Sequence, residues 1–367
     1  VRTDQAQGAT FVELFFDLVF VFAITQLTGV VGRDLSWSGV GQAAIVFWLV
    51  WWAWTQFTWT LNLADTEQSL VRVPTLVATA VAFFLAQAVP DAMTTAGIWF
   101  AAAYVVVRLM GMGLQVWVIG EDEVQRSGLA RYVSFSLLGV VLIFIGGFAA
   151  PDLRQWIWLA AIVADMVTIA LAGRGSWVLE PGHFAERHGL IVIIALGESL
   201  IAAGAATAGL QRDAVFALTV TGAVVAACAL WWVYFGSLQA KLERRLAAQD
   251  DVHRGRFARD VYSLWHAVMV AGVIGIAVGF EEAVKHPGDQ LHTGSALALT
   301  LGVAIFLGGL AAATVRSEAT APIVPKLALS AMAIAATPLV TRVSGGVALW
   351  GVALATLAMI GIETRRS

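Results

Sequence analysis

The stretch TFVELFFDLVFVFAITQLTGV, residues 10–30, sets two carboxylates, Glu13 and Asp17, inside a run long and apolar enough to cross a bilayer. Their spacing of four puts both on one helix face, and Phe20, Ile24 and Leu27 continue that face as an apolar stripe. A charge at the bilayer centre costs from about 2.5 kcal/mol on insertion scales to about 10 or more in simulations, so such a group turns into the bundle, takes a partner and marks function. Other embedded polar residues are Arg108 in YVVVRLMGMG, Asp165 in IVADMVTIA, Glu198 in ALGESLIA and His266 in SLWHAVMV. Glu186, Arg187 and His188 open a further apolar run, HFAERHGLIVIIALGESLIAAG. The chemistry open to such a set is ion pairing, cation coordination or proton relay.

Two readings compete for these residues. Arg108 is placed to neutralise Asp17 or Asp165 as a structural pair, and for Glu13 and Glu186, close to helix starts, opposition to the helix dipole is a sufficient role. For Asp17 and Glu198 the functional reading is preferred. His183 and His188 flank Glu186, but a spacing of five turns the two imidazoles to different helix faces, and no H-E-x-x-H is present, so no metal is expected. Gly197–Glu198–Ser199 lacks the second glycine of a nucleophile elbow and no strand precedes it, which argues against a serine hydrolase. No cofactor motif is found.

The elements that must hold these groups are helices. The chain has 367 residues, 59% hydrophobic and only 13% charged, with a mean hydropathy of +0.80; a soluble domain averages about 25% charged. Twelve apolar blocks, each near the ~20 residues that a helix needs to span a ~30 Å hydrocarbon core, cover 11–31, 40–62, 73–89, 95–117, 132–149, 156–173, 184–207, 214–235, 261–281, 293–315, 326–340 and 344–362. Lipid offers exposed backbone groups no partner, and the ten-residue alternation of a barrel is missing. The fold class expected is therefore an all-α polytopic membrane protein of about twelve transmembrane helices. The first block lacks a short h-region with a small-residue exit, so it reads as a retained helix and not a signal peptide.

Charge orients the helices. With the amino terminus inside, sixteen of the 22 basic residues, among them Arg2, Arg72, Arg174, Arg187, Arg244, Arg316 and Arg366, fall on the cytoplasmic side, and five on the other; short cytoplasmic loops collect Lys and Arg. Both termini are thus expected in the cytoplasm, and Glu13, Asp17, Arg108, Asp165, Glu186, Arg187 and His188 in the cytoplasmic half of the membrane. The one substantial loop, 236–260, reads as a cytoplasmic helical extension. Single Cys228 excludes an internal disulfide. Nothing in the charge pattern suits nucleic acid, and no feature speaks to oligomeric state.

An internal repeat organises the order of the blocks. At an offset of 173 residues Phe11 meets Phe184, Glu13 meets Glu186, Thr25 meets Glu198 and Leu27 meets Leu200. The following helix in each half carries a tryptophan pair, Trp51–Trp52 and Trp231–Trp232. The expected domains are a six-helix repeat at 1–173, a connector at 174–182, and a second six-helix repeat at 183–367. An even helix number per repeat gives parallel repeats, which usually enclose a pathway at their interface. The tryptophan-rich helix around Trp48, Trp52, Thr55 and Trp59 reads first as packing, and Gly275 and Gly279 as a close helix contact.

The segments FVELFFDLVFVFAITQLT and HFAERHGLIVIIALGESLI resemble the two signature segments of the bacterial low temperature requirement protein A family, and the resemblance runs over essentially the whole chain. It implies a multi-pass protein of the bacterial cytoplasmic membrane; the family's name comes from a growth phenotype in the cold, which fixes no substrate or reaction. FFDLVFVFAITQL is also similar to the first helix of the endolysosomal and bacterial potassium channels with a Phe-Ser-Asp motif. That second resemblance implies a polar-network role for Asp17 and a constriction at Ile24. Phe16 stands where that motif has serine, and the second repeat reads His-Gly-Leu at 188–190. The function expected is translocation of a monovalent cation or a proton-coupled small solute through a pathway between the repeats, with Glu13, Asp17, Arg108, Asp165, Glu186, Arg187, His188 and Glu198 as its polar network. The alternative is a membrane-embedded enzyme acting on lipid or isoprenoid substrates at Glu13, Glu186, Arg187 and His188.

Overall fold

A computed structural model of the chain describes residues 8–120, 123–172, 178–236, 238–317 and 323–365. Arg2, Arg174, Arg366 and the first four residues of the connector expected at 174–182 lie outside the described residues. Among the described residues there is no strand, only an isolated bridge between Gln290 and Ser344. The helices are α1 (Phe11–Arg33), α2 (Trp37–Leu61), α3 (Ser69–Ala88), α4 (Gly97–Ile119), α5 (Glu123–Phe148), α6 (Pro151–Ala172), α7 (Pro181–Ala205) and α8 (Ala214–Phe235). There follow α9 (Leu238–Ala247), α10 (Asp251–Phe257), a π-helical stretch (Ala258–Trp265), α11 (His266–Lys285), α12 (Thr293–Arg316), α13 (Val324–Ala335), α14 (Thr337–Val340) and α15 (Gly345–Thr364).

Ten of these stretches are long and apolar enough to cross a membrane. The twelve apolar blocks of the sequence correspond to those ten, to α2 and to the broken pair α13–α14. Helix α2 has 25 residues and no charge, but its tryptophans, threonines and glutamines hold its hydropathy below that of the ten. Helix α13 stops at Ala335 because Pro338 denies the helix a donor, and α14 restarts for a single turn. The 236–260 segment is helical as read, forming α9 and α10.

Exposure is inverted relative to a water-soluble protein. Trp99, Phe84 and Phe148 stand outward at 74%, 66% and 64% exposure, while Glu13, Asp17, Arg108 and Arg187 are at 0%. Apolar side chains outward and charges inward is the arrangement a hydrocarbon solvent selects.

Two compact units divide the chain. The first is drawn from Val1–Leu27, Gly41–Arg187 and Leu246–Arg259; its boundary falls inside α7, so that His183 and Arg187 belong with the first helix and not with the rest of the second half. Within it α3 to α6 pack as successive antiparallel neighbours. Arg154 at the start of α6 ties this layer: its guanidinium donates to the carbonyls of Ala92 (3.0 Å), Thr94 (2.7 Å), Gly146 (3.2 Å) and Ala149 (2.9 Å). Ala92 and Thr94 lie in the turn before α4 and Ala149 just past α5, where helices supply no donor, and Gly146 O accepts from the Ala149 amide as well.

The second unit is drawn from Thr28–Val40, His188–Arg245 and Asp260–Ser367. Its tightest pair is α11 with α12. A Cβ on Gly272 would come within 2.7 Å of the Gly302 carbonyl, and one on Gly275 within 2.8 Å of the Ala298 carbonyl. Absent side chains thus let the two backbones touch, the device by which helices associate without a hydrophobic drive. Helix α15 lies on α8, with the Trp350 indole donating to Leu218 O at 3.0 Å. Buried Lys326 and Glu363 close this unit with an ion pair at 2.5 Å.

Candidate functional site

The densest polar cluster lies in the first unit, where the starts of α1 and α7 run in parallel. Helix α1 opens with Thr10-x-x-Glu13, the sequence of a capping box, and its Glu half is formed: the Thr10 amide and hydroxyl donate to Glu13 Oε2 at 3.0 and 2.9 Å. Helix α7 opens with Pro181 after Glu180, whose carboxylate accepts from the Gly182 and His183 amides. Asn62, just past α2, fixes that start by pairing its side-chain amide with the Glu180 backbone, at 3.0 Å to the carbonyl and 2.7 Å from the amide.

Two such starts side by side bring an i, i+4 pair of acids against an i, i+4 pair of bases. His183 Nε2 is 3.1 Å from Glu13 Oε2. Arg187 donates from Nη1 to Glu13 Oε1 at 3.3 Å, from Nε to Asp17 Oδ2 at 3.4 Å, and from Nη2 to Asp17 Oδ1. The Trp54 indole N–H donates to Asp17 Oδ1 at 2.8 Å, and the Arg187 guanidinium carbon lies 5.9 Å from the Trp54 ring centre, within cation–π range. Glu13, Asp17, His183 and Arg187 are all essentially inaccessible. Phe16, between the acids, packs on Phe20 and Phe57 at 4.9 and 4.5 Å between ring centres, so the cluster is walled by aromatic rings.

The charge count is uneven. Two carboxylates face one guanidinium, and neutrality requires one more positive charge, which a proton on His183 or on a carboxylate, or a small cation, would supply. In a low-dielectric setting an uncompensated charge is the costly state, so this arrangement calls for one further positive charge.

A second group in the same unit sits at mid-span. Arg108, eleven residues from either end of α4, donates to the Ser136 hydroxyl, which in turn donates to Asp165 Oδ1 at 3.3 Å; Arg108 Nη2 lies 3.6 Å from that oxygen. Gly139 leaves room for the carboxylate, since a Cβ there would approach Asp165 Oδ1 to 3.0 Å. Of the two acids offered for Arg108 by the sequence, the structure pairs it with Asp165, and gives Asp17 to Arg187.

The remaining sequence candidates are dispersed. Glu186, which the sequence alignment of the two halves sets against buried Glu13, is exposed and accepts from the Ala9 amide at 2.9 Å. Glu198 is buried about 26 Å along α7 from Pro181, at 1.5 Å per residue. Ile24 is buried, about 10 Å beyond Asp17 along α1. His188 belongs to the second unit, 5.2 Å from Tyr262 and 5.4 Å from His266 between ring centres. There His266 Nδ1 donates to Val261 O at 2.9 Å, and its Nε2 accepts from the Tyr234 hydroxyl at 2.7 Å. The two histidines of HFAERH thus end in different surroundings, and among the described residues no group of three or more His, Cys, Asp or Glu could hold a metal.

Sequence reasoning passed over Trp54, Thr10, Thr66, Ser136 and Tyr234. The capping box Thr10-x-x-Glu13 was the readable signal among them; Thr66 joins it only in space, 2.9 Å from the Thr10 hydroxyl.

A polytopic helical protein with buried ion pairs inside its spans is the class that this geometry defines. Comparison with known sequences then identifies the family: the sequence model of the bacterial low temperature requirement A protein matches residues 8–361, and the chain belongs to that family. It is similar to an uncharacterized protein, RA0937, of Rhizobium meliloti (strain 1021), with 29% identity over 318 residues that cover 84% of this chain and 77% of the relative. No solved structure matches.

Proposed function

We propose that the protein moves a monovalent cation, or a small solute coupled to protons, across the bacterial cytoplasmic membrane, along a pathway to which the starts of α1 and α7 contribute. The observation that carries this reading is the charge imbalance at Glu13, Asp17, His183 and Arg187: a sealed cluster one positive charge short of neutral has a site for an exchangeable proton or cation. Asp17 is the acid most tightly held, by Arg187 and Trp54 together, and His183 lies 3.1 Å from the other acid, Glu13. Glu198, buried further along α7, extends the acidic groups toward the other end of that helix. The proposed topology has twelve crossings as two six-helix repeats with both termini cytoplasmic, which counts α2 and the α13–α14 pair as crossings.

The test is flux into liposomes containing purified protein, under K+, Na+ and pH gradients, for wild type, Asp17→Asn, His183→Gln and Glu198→Gln. Wild type is expected to carry flux under one of these gradients, and Asp17→Asn and His183→Gln to lose it while eluting as folded protein. Silence of folded wild type in every gradient refutes the reading.

A further inference from the structure

Between α2 and α4, in the first unit, runs a stripe of buried polar atoms that protein partners leave unused. Trp52, Thr55 and Gln56 on α2 face Tyr104, Arg108 and Gln115 on α4. Among the described residues Trp52 Nε1, Thr55 Oγ1, Gln56 Nε2 and Oε1, Tyr104 hydroxyl, Arg108 Nε and Nη1, and Gln115 Oε1 have no hydrogen-bond partner. All six side chains are more than nine-tenths buried. Positions 104, 108, 111 and 115 follow the three-and-four spacing of one helix face, and Gly111 lets the Gln56 amide lie against α4 between Arg108 and Gln115: a Cβ there would lie 2.9 Å from the Gln56 side-chain amide carbon. The Arg108 guanidinium carbon stands 6.0 Å from the Trp52 ring centre and 5.9 Å from that of Tyr104. At the Ile119 end of α4 the stripe opens into a pocket lined by Trp59, Thr60, Gln115, Val118 and Val178.

Buried polar atoms are almost always satisfied, by protein or by water, and in a membrane span lipid cannot do it. The unused atoms include donors (the indole, the guanidinium, an amide) and acceptors (two amide oxygens), so the ligand that satisfies them must do both. The pocket has room for about one water molecule. We infer that α2 and α4 hold a file of water that runs from the Ile119 end of α4 to Arg108, and so gives the Arg108–Ser136–Asp165 group proton exchange with the aqueous phase. This inference stands apart from the transport reading: it concerns hydration, and its test reads no flux.

The test uses silver ion, a probe close to water in size, on single-cysteine variants in a Cys228→Ser background, reconstituted in liposomes. Gln56→Cys and Gln115→Cys are expected to react about ten-fold or more faster than Val107→Cys, a fully buried apolar position at the depth of Arg108 that is reached only by local opening. Equal rates at all three positions overturn the inference. Hydroxyl-radical footprinting of the unsubstituted protein needs no substitution to fold: Trp52 and Tyr104 are expected to be oxidised ahead of Trp158, which is fully buried with its indole bonded to Ile143 O at 3.0 Å. Protection of Trp52 and Tyr104 equal to that of Trp158 overturns it as well.

Discussion

Removing Arg187 should harm the protein more than removing the carboxylate it binds. In Arg187→Gln both Glu13 and Asp17 lose their cation, and breaking a buried pair by deleting one partner costs about 3–5 kcal/mol because the other is left buried and uncompensated. In Asp17→Asn the remaining Oδ1 still accepts from Trp54, Glu13 still faces Arg187 at 3.3 Å, and one carboxylate now matches one guanidinium. The loss is then that of a charge-assisted hydrogen bond, about 1.5–3 kcal/mol. The double variant Asp17→Asn/Arg187→Gln should be less damaged than the two losses added, by about 0.5–3 kcal/mol, as expected for residues in direct contact. Unfolding in mixed micelles with a rising fraction of dodecyl sulfate, followed by tryptophan fluorescence, measures all four species. If Arg187→Gln unfolds no earlier than Asp17→Asn, or if the two effects add within about 0.5 kcal/mol, the carboxylates do not depend on Arg187 and the charge count has no bearing on stability.

Arg154→Leu leaves the carbonyls at the ends of the α3–α6 layer without their donor, and a loss of about 2–3 kcal/mol, on the scale of an unsatisfied buried group, should appear as a lowered melting temperature in detergent. Gly302→Val should cost about 1–3 kcal/mol by overpacking α11 against α12, since its Cβ would fall 2.6 Å from the Ile276 amide; Gly351→Ala, with open space around it, should leave the melting temperature unchanged.

Much of the architecture was legible because lipid imposes it. Runs of apolar residues near twenty long are helices in a membrane for want of any other way to satisfy the backbone, and block limits such as 214–235 and 293–315 fall within a residue of α8 and α12. Helix α2 and the α13–α14 pair were read as blocks like the rest, but tryptophan content and Pro338 set them apart. For the site, the sequence singled out Glu13, Asp17 and Arg187 as embedded charges, yet their pairing was not readable: Asp17 and Arg187 are 170 positions apart, and only the parallel approach of two helix starts joins them. Repeat matching aligned Glu13 with Glu186, but one is buried and the other exposed, because similar sequence positions in two halves need not face similar surroundings. The π-helical stretch at Ala258–Trp265, which directs Tyr262 and His266 together, has no compositional mark at all.

That long separation between Asp17 and Arg187 also bears on how the protein is made. Synthesis at about 5–20 residues per second puts about 10–30 s between the emergence of α1 and the arrival of its guanidinium on α7. For that interval the first helix carries Glu13 and Asp17 with no counter-charge. It must wait with both acids protonated, or with its first turns still in water, and it completes insertion only when α7 is delivered beside it. The order of events on the ribosome therefore leaves the first span electrically unfinished until α7 has been made.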